Sequence, residues 1–127
     1  MSSSFRIDLQ FPTFESELRL ALKTHPTLKQ DLTTVFERLE SEPRAGDPIP
    51  RAGAAGSVFK IRLGVKGLFG KRGGYRLLYH VDFDRKVITP VALYFKKDTP
   101  NLPDHVVFQR FVAVTKYIST SPEAPPN

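Results

Sequence analysis

Ser57-Val58-Phe59-Lys60-Ile61-Arg62-Leu63 and Gly74-Tyr75-Arg76-Leu77-Leu78-Tyr79-His80-Val81 decide the fold. In the first stretch Phe59, Ile61 and Leu63 fall on one side of an extended chain, and Lys60 and Arg62 on the other. In the second, Tyr75, Leu77, Tyr79 and Val81 share one side; Arg76, Leu78 and His80 share the opposite one. A period of two predicts two strands, each with an apolar face. The connection Gly64–Gly73 is glycine-rich and basic. A tight turn over Asp82–Lys86 leads to a third strand, Val87–Lys96. Pro90 cannot donate a ladder hydrogen bond, which predicts a bulge or locally unpaired backbone there.

Upstream, Phe5-Arg6-Ile7-Asp8-Leu9-Gln10-Phe11 alternates as a half-buried strand does. Pro12 ends it and suits the first turn of a helix. Phe14, Leu18, Ala21 and Leu22 follow at helical spacing, and the helix should stop near Thr24, ahead of Pro26. Thr27 and Gln30 have capping-box spacing before a second stripe, Leu28, Leu32, Val35, Phe36 and Leu39, which Pro43 closes. The short joint predicts a helical hairpin. Residues 43–56 are rich in Pro, Gly and Ala and read as a mobile loop. Beyond Asp98-Thr99-Pro100-Asn101 a last helix is expected from about Leu102, with Val107, Phe111, Val114 and Ile118 on one face; its β-branched content also suits a strand over part of it. Residues 119–127 are expected to be a disordered tail behind a single domain over 1–118. The order β-α-α-β-β-β-(α) predicts a small α+β domain, a mostly antiparallel sheet packed by the N-terminal helical hairpin. Phe59, Ile61, Leu63, Tyr75, Leu77 and Tyr79 should form one apolar layer with Leu18, Leu22, Leu32, Val35, Phe36 and Leu39.

With 127 residues, 40% hydrophobic and 25% charged, the chain has the balance of one globular domain. It has no Cys, which excludes disulfides, thiolate metal sites and cysteine nucleophiles. The net charge is +6, but residues 51–97 carry eleven Lys/Arg against Asp82 and Asp84. That stretch has a surplus of nine, and the remainder is mildly acidic. A basic face on an acidic body suits a polyanionic partner, or else a solvated surface with none. No apolar run has the length of a membrane span, and the N-terminus lacks a signal-peptide pattern, so a cytoplasmic protein is expected.

Three familiar site types fail. Gly67-Leu68-Phe69-Gly70-Lys71-Arg72 has Val65 where a Walker motif needs its first glycine, and Arg72 in place of the Mg²⁺-binding hydroxyl. His25, His80 and His105 share no metal-ligand spacing, so neither metal nor cofactor is expected. No Gly-x-Ser-x-Gly elbow occurs. What remains is cationic. Lys60 and Arg62 share a strand face, Arg76 and His80 share the next, and one of Lys96 and Lys97 must join them. The same alternation also describes a solvent-facing sheet whose basic residues serve only solubility. Cations alone can cleave RNA: a base takes the 2′-hydroxyl proton, guanidinium groups stabilise the phosphorane, and an acid protonates the leaving 5′-oxygen. Arg76 is expected to point outward between inward Tyr75 and Leu77, so that its loss costs only about 0.5 kcal/mol of stability.

Phe59–Leu63, Gly73–Val81 and Val91-Ala92-Leu93-Tyr94-Phe95-Lys96-Lys97-Asp98 together resemble the RelE/HigB-type toxins of bacterial type II toxin–antitoxin systems, over about residues 5–111. The resemblance implies a ribosome-dependent endoribonuclease that cuts mRNA in the ribosomal A site without metal and is neutralised by a cognate antitoxin. By position it implies Lys60 as general base, Arg62 as a second cation, Arg76 against the scissile phosphate and Lys97 as the acid. Lys71, Arg72 and Lys96 are the remaining candidate RNA contacts. The family's tyrosine after the basic pair is missing from Thr99–His105, where His105 could stack or act as acid; Phe108 and Tyr117 are weaker substitutes. ParE-type toxins share the fold but inhibit DNA gyrase, and are the alternative reading, beside a degenerate toxin that only binds its antitoxin. Retention of Lys60, Arg62 and Arg76 favours the nuclease.

Overall fold

The computed structural model describes residues 4–49, 57–63, 74–96, 99 and 102–120. The elements run β1 (Arg6–Ile7), α1 (Pro12–Thr24), α2 (Leu28–Ser41), β2 (Asp47–Pro48), β3 (Val58–Leu63), β4 (Tyr75–Asp82), β5 (Val87–Phe95) and α3 (Asp104–Thr120). They build an α+β domain around a five-stranded sheet ordered β1-β5-β4-β3-β2. β1 runs parallel to β5 and the other pairings are antiparallel.

One sheet face carries Phe59, Ile61, Leu63, Tyr75, Leu77 and Tyr79, which join the helical residues Leu18, Leu22, Leu32, Val35, Phe36 and Leu39 in one apolar core. α1 lies against β5 and α2 against β3. Val107, Phe111, Val114 and Ile118 of α3 join the core from the other side of the sheet, so this stretch is helix throughout. Leu78 pairs with Ala92 and Tyr79 with Pro90, which leaves Val91 as an extra residue on β5. Pro90 thus sits beside a bulge, as its missing donor requires.

Four expectations change. β1 stops at Ile7, because Asp8 Oδ1 accepts a hydrogen bond from the Gln10 N–H at 3.0 Å and turns the chain. Asp8 is buried and Leu9 exposed, the reverse of the alternation. The Thr27–Gln30 capping box does not form: Thr27 already has helical dihedrals (φ −68°, ψ −15°), and a capping side chain needs an extended backbone. The first N–H groups of α2 instead reach the carbonyls of His25, Pro26 and Thr27. The loop after Pro43 contains β2, which pairs with β3 through Asp47↔Lys60 and Pro48↔Phe59. Finally, α3 runs through Ser119 to Thr120, two residues past the expected end; residues 121–127 lie outside the described ones.

The approach to β2 is held from the core. The buried Tyr79 hydroxyl donates to the Pro43 carbonyl and accepts the Gly46 N–H, both at 2.9 Å. Burial raises its pKa, so it stays protonated. A Cβ on Gly46 would lie 2.7 Å from the Lys60 carbonyl oxygen and 2.9 Å from the Tyr79 hydroxyl. Gly46→Ala must therefore push on β3 at Lys60. We expect a loss of about 1–3 kcal/mol in urea unfolding, the usual cost of overpacking, with shifted Lys60 and Tyr79 resonances. Unchanged stability and spectra would mean that β2 moves away without cost.

Candidate nucleic-acid interface

The β3–β4 register sets Arg62 directly opposite Arg76 and Lys60 opposite Leu78; the β4–β5 register sets Arg76 opposite Tyr94. Directly opposed residues share a face. Arg62, Arg76 and Tyr94 therefore form one row across three strands, with Lys60 one row along on the same face. This is the face away from α1 and α2.

Arg76 is 7% exposed, so the expectation of an outward, dispensable side chain is corrected. The reason is α3, which packs over this face and leaves β4 covered on both sides. Arg76 Nη1 donates to the Tyr75 carbonyl at 3.3 Å. Burial and then the Arg62 guanidinium lower its pKa, and neighbouring Tyr94 acts the other way. An arginine starts so high that it remains charged at neutral pH. Tyr94 was not among the expected site residues; burial raises its pKa and the Arg76 charge opposes the rise. Lys60, Leu78 and Tyr94 line a cavity of about 220 Å³ with Ile49, Leu102, Asp104 and Val107.

The other candidates separate. Lys96 follows β5 directly, its N–H bonded to the Gly74 carbonyl. His105 is exposed on the first turn of α3, beside Asp104. Phe108 is half-exposed on that helix, and Tyr117 is committed elsewhere: its hydroxyl donates to Asp8 Oδ2 at 3.0 Å. Lys71, Arg72 and Lys97 lie outside the described residues. Among the described residues no three His, Cys, Asp or Glu side chains cluster to hold a metal ion, and no helix is long and apolar enough to cross a membrane.

His80 shares the cationic face but is tucked under α3, 6.1 Å from the Phe111 ring, with its buried Nδ1 unpartnered. Burial lowers its pKa and Asp82 partly opposes this. The unfolded chain takes up the His80 proton near the ordinary value of about 6.5, whereas the folded chain resists until lower pH. Its contribution to stability is thus complete above about pH 6.5 and is lost as pH falls toward the folded pKa. We expect the stability of the wild type to exceed its pH 5 value at pH 7, with a His80 share no steeper than about 1.4 kcal/mol per pH unit. His80→Leu should flatten that share in paired urea titrations; an unaltered pH slope would contradict it.

α3 is fixed by a second feature absent from the expectations. Glu17 of α1 and Arg110 of α3 form a two-pronged ion pair, Nη2–Oε2 2.7 Å and Nη1–Oε1 3.0 Å. Glu17 Oε1 also accepts the Leu93 N–H, and Arg110 Nη1 donates to the Val91 carbonyl, each at 3.0 Å. β1 covers β5 only at Val87 and Ile88, so this pair occupies the edge beyond it.

No family model matches the chain, and the search of characterised proteins finds no match. Among solved structures, a doubly substituted mutant of E. coli toxin RelE in the free state aligns with a TM-score of 0.51 and 20% sequence identity. The alignment covers 89% of this chain and 97% of the RelE chain. The chain therefore has a RelE-like fold, an α+β domain built on a five-stranded sheet.

Proposed function

We propose that this chain is the toxin of a type II toxin–antitoxin system, a ribosome-dependent endoribonuclease acting on mRNA. The observation that carries the reading is the Arg62–Arg76 cross-strand pair with Lys60 on the same face. Like charges directly opposite one another weaken a sheet, and burial of the Arg76 guanidinium adds desolvation. An RNA phosphate offsets both. In the proposed reaction Lys60 takes the 2′-hydroxyl proton and the 2′-oxygen attacks the adjacent phosphorus. The P–O5′ bond breaks, leaving a 2′,3′-cyclic phosphate and a 5′-oxygen that takes a proton from Lys97 or His105. Arg62 and Arg76 hold the extra negative charge of the phosphorane, and Lys71, Arg72 and Lys96 contact the RNA backbone. The antitoxin would be an acidic or amphipathic segment. Phe108 and Val112, exposed one turn apart on α3, offer it an apolar contact.

Primer extension on a message translated by purified ribosomes tests this. The wild type should cut only in the presence of ribosomes and spare a site carrying a 2′-deoxy nucleotide. Lys60→Ala should slow the cut by about 10²-fold or more with an unchanged fold. Arrested growth with uncut mRNA and failed gyrase supercoiling would replace this reading with the ParE-type one.

A further inference from the structure

The cavity beside Lys60 has features that the proposed bond cleavage does not use. Tyr94 forms part of its wall and stands directly across from Arg76. Leu78 and Val107 give it apolar lining, and Asp104, the first residue of α3, adds a carboxylate. An aromatic residue in the lining, close to a cation, supplies what one nucleotide needs: a partner for the base and a charge for the phosphate. The volume, about 220 Å³, is well above what a single water needs.

The charges fix the orientation. Asp104 repels a phosphate, so the phosphate belongs at the Lys60–Arg76 side and the base edge at Asp104. A carboxylate only accepts, and its several lone pairs allow it to serve a base beside its contacts within the protein. Guanine alone presents two adjacent donors, N1–H and N2–H₂, on its Watson–Crick edge. Adenine and cytosine present an amino group next to an acceptor, and uracil one N–H between two carbonyls.

Resting on the RNA-cleaving reading of this face, we propose that the cavity receives one nucleobase, guanine ahead of the other three, with Tyr94 as its stacking face and Asp104 as the reader of its edge. Two charged groups in the lining favour a nucleotide over the apolar side chain of a protein partner.

The test is methyl NMR of the full chain titrated with guanosine, adenosine and uridine 3′-monophosphates and with inorganic phosphate. Guanosine 3′-monophosphate should shift the Leu78 and Val107 methyls and bind about tenfold more tightly than the uridine compound. Inorganic phosphate should leave those methyls in place. Asp104→Asn, at an exposed position, should erase the guanine preference. Tyr94→Leu should weaken all three nucleotides by about tenfold, and Tyr94→Phe, which keeps the ring, should restore them. Equal binding of the three nucleotides, methyls unmoved by nucleotide, or a preference that survives Asp104→Asn would each overturn the assignment. These ligands have no bond to cleave, so the readout is independent of activity. A chain that cuts mRNA without base preference keeps its function and loses this pocket; one that prefers guanosine but leaves mRNA intact does the reverse.

Discussion

Arg76→Met should yield a protein that is more stable than the wild type and slower at RNA cleavage by about 10²–10³-fold. The two effects share one cause. Arg76 is 7% exposed, its pKa is lowered by burial and by Arg62, and its hydrogen bond to the Tyr75 carbonyl is a long 3.3 Å. A buried charge held by a weak bond and faced by a like charge works against folding. Methionine fills similar space without the charge, and we expect a gain of about 1 kcal/mol, a few °C in Tm for a domain of this size. Arg76→Ala removes the same repulsion but leaves a void, so the terms offset and stability should change little. In catalysis the sign reverses. The desolvated guanidinium acts on the phosphorane in a low dielectric, and loss of such a group costs on the order of 10²–10³ in rate. Arg76→Lys should recover part of the rate, because it keeps the charge and loses the fork. Thermal melts and single-turnover cleavage of a ribosome-bound message measure both. A destabilised Arg76→Met protein would show that the guanidinium holds the sheet together; a stable one with full activity would remove Arg76 from the chemistry.

Much of the fold is legible because the deciding segments obey a strict period. β3 and β4 alternate, the α1 and α2 stripes are uninterrupted, and Pro12, Pro26 and Pro43 bracket the helices. The failures are local. Asp8 overrides alternation with one side-chain bond to the backbone, and β2 is two residues long and contains a proline, so no propensity marks it. The cover over the cationic face did leave a signal. Val91-Ala92-Leu93-Tyr94-Phe95 is apolar on both sides, as a strand buried on both faces is, and Leu78 stands between Arg76 and His80. A solvated basic face would not need Leu78. That reading would have placed a helix over Arg76 and corrected its expected exposure.

The candidate site is legible to the extent that it lies on alternating strands. Lys60, Arg62 and Arg76 share a face because β3 and β4 pair in the register that alternation suggests. Tyr94 follows from the same rule, two residues before Lys96. Asp104, Glu17 and Arg110 do not: Asp104 and Arg110 lie on a helix whose placement the sequence leaves open, and Glu17 is a charged residue outside the apolar stripe of α1. Glu17 and Arg110 are 93 positions apart, and nothing near either residue indicates the other.

Breaking the Glu17–Arg110 pair should release α3 from the sheet and cost about 2–3 kcal/mol. The pair is partly shielded, with side-chain exposures of 28% and 20%. That is too exposed for the full 3–5 kcal/mol of a buried pair, yet each group also serves the β5 edge. Glu17→Gln keeps an acceptor for the Leu93 N–H but loses the charge facing Arg110, so it should cost the least. Arg110→Met leaves Glu17 bonded to Leu93 but strands its charge and the Val91 carbonyl, and should cost the most. If the loss is a coupling between the two groups, the double variant Glu17→Gln/Arg110→Met costs less than the sum of the singles by at least about 1 kcal/mol. Hydrogen exchange locates the effect. Amides of α3 should exchange faster in Arg110→Met while those of β3 and β4 keep their protection, because α3 leaves and the two-helix side of the core remains. The freed β5 edge presents an unpaired strand, so the same variant should associate at concentrations where the wild type stays monodisperse. If exchange rises uniformly over the whole chain instead, the pair stabilises the domain as one unit and α3 is no separate element. Additive single and double variants would show that Glu17 and Arg110 each serve β5 alone and that their mutual attraction contributes nothing.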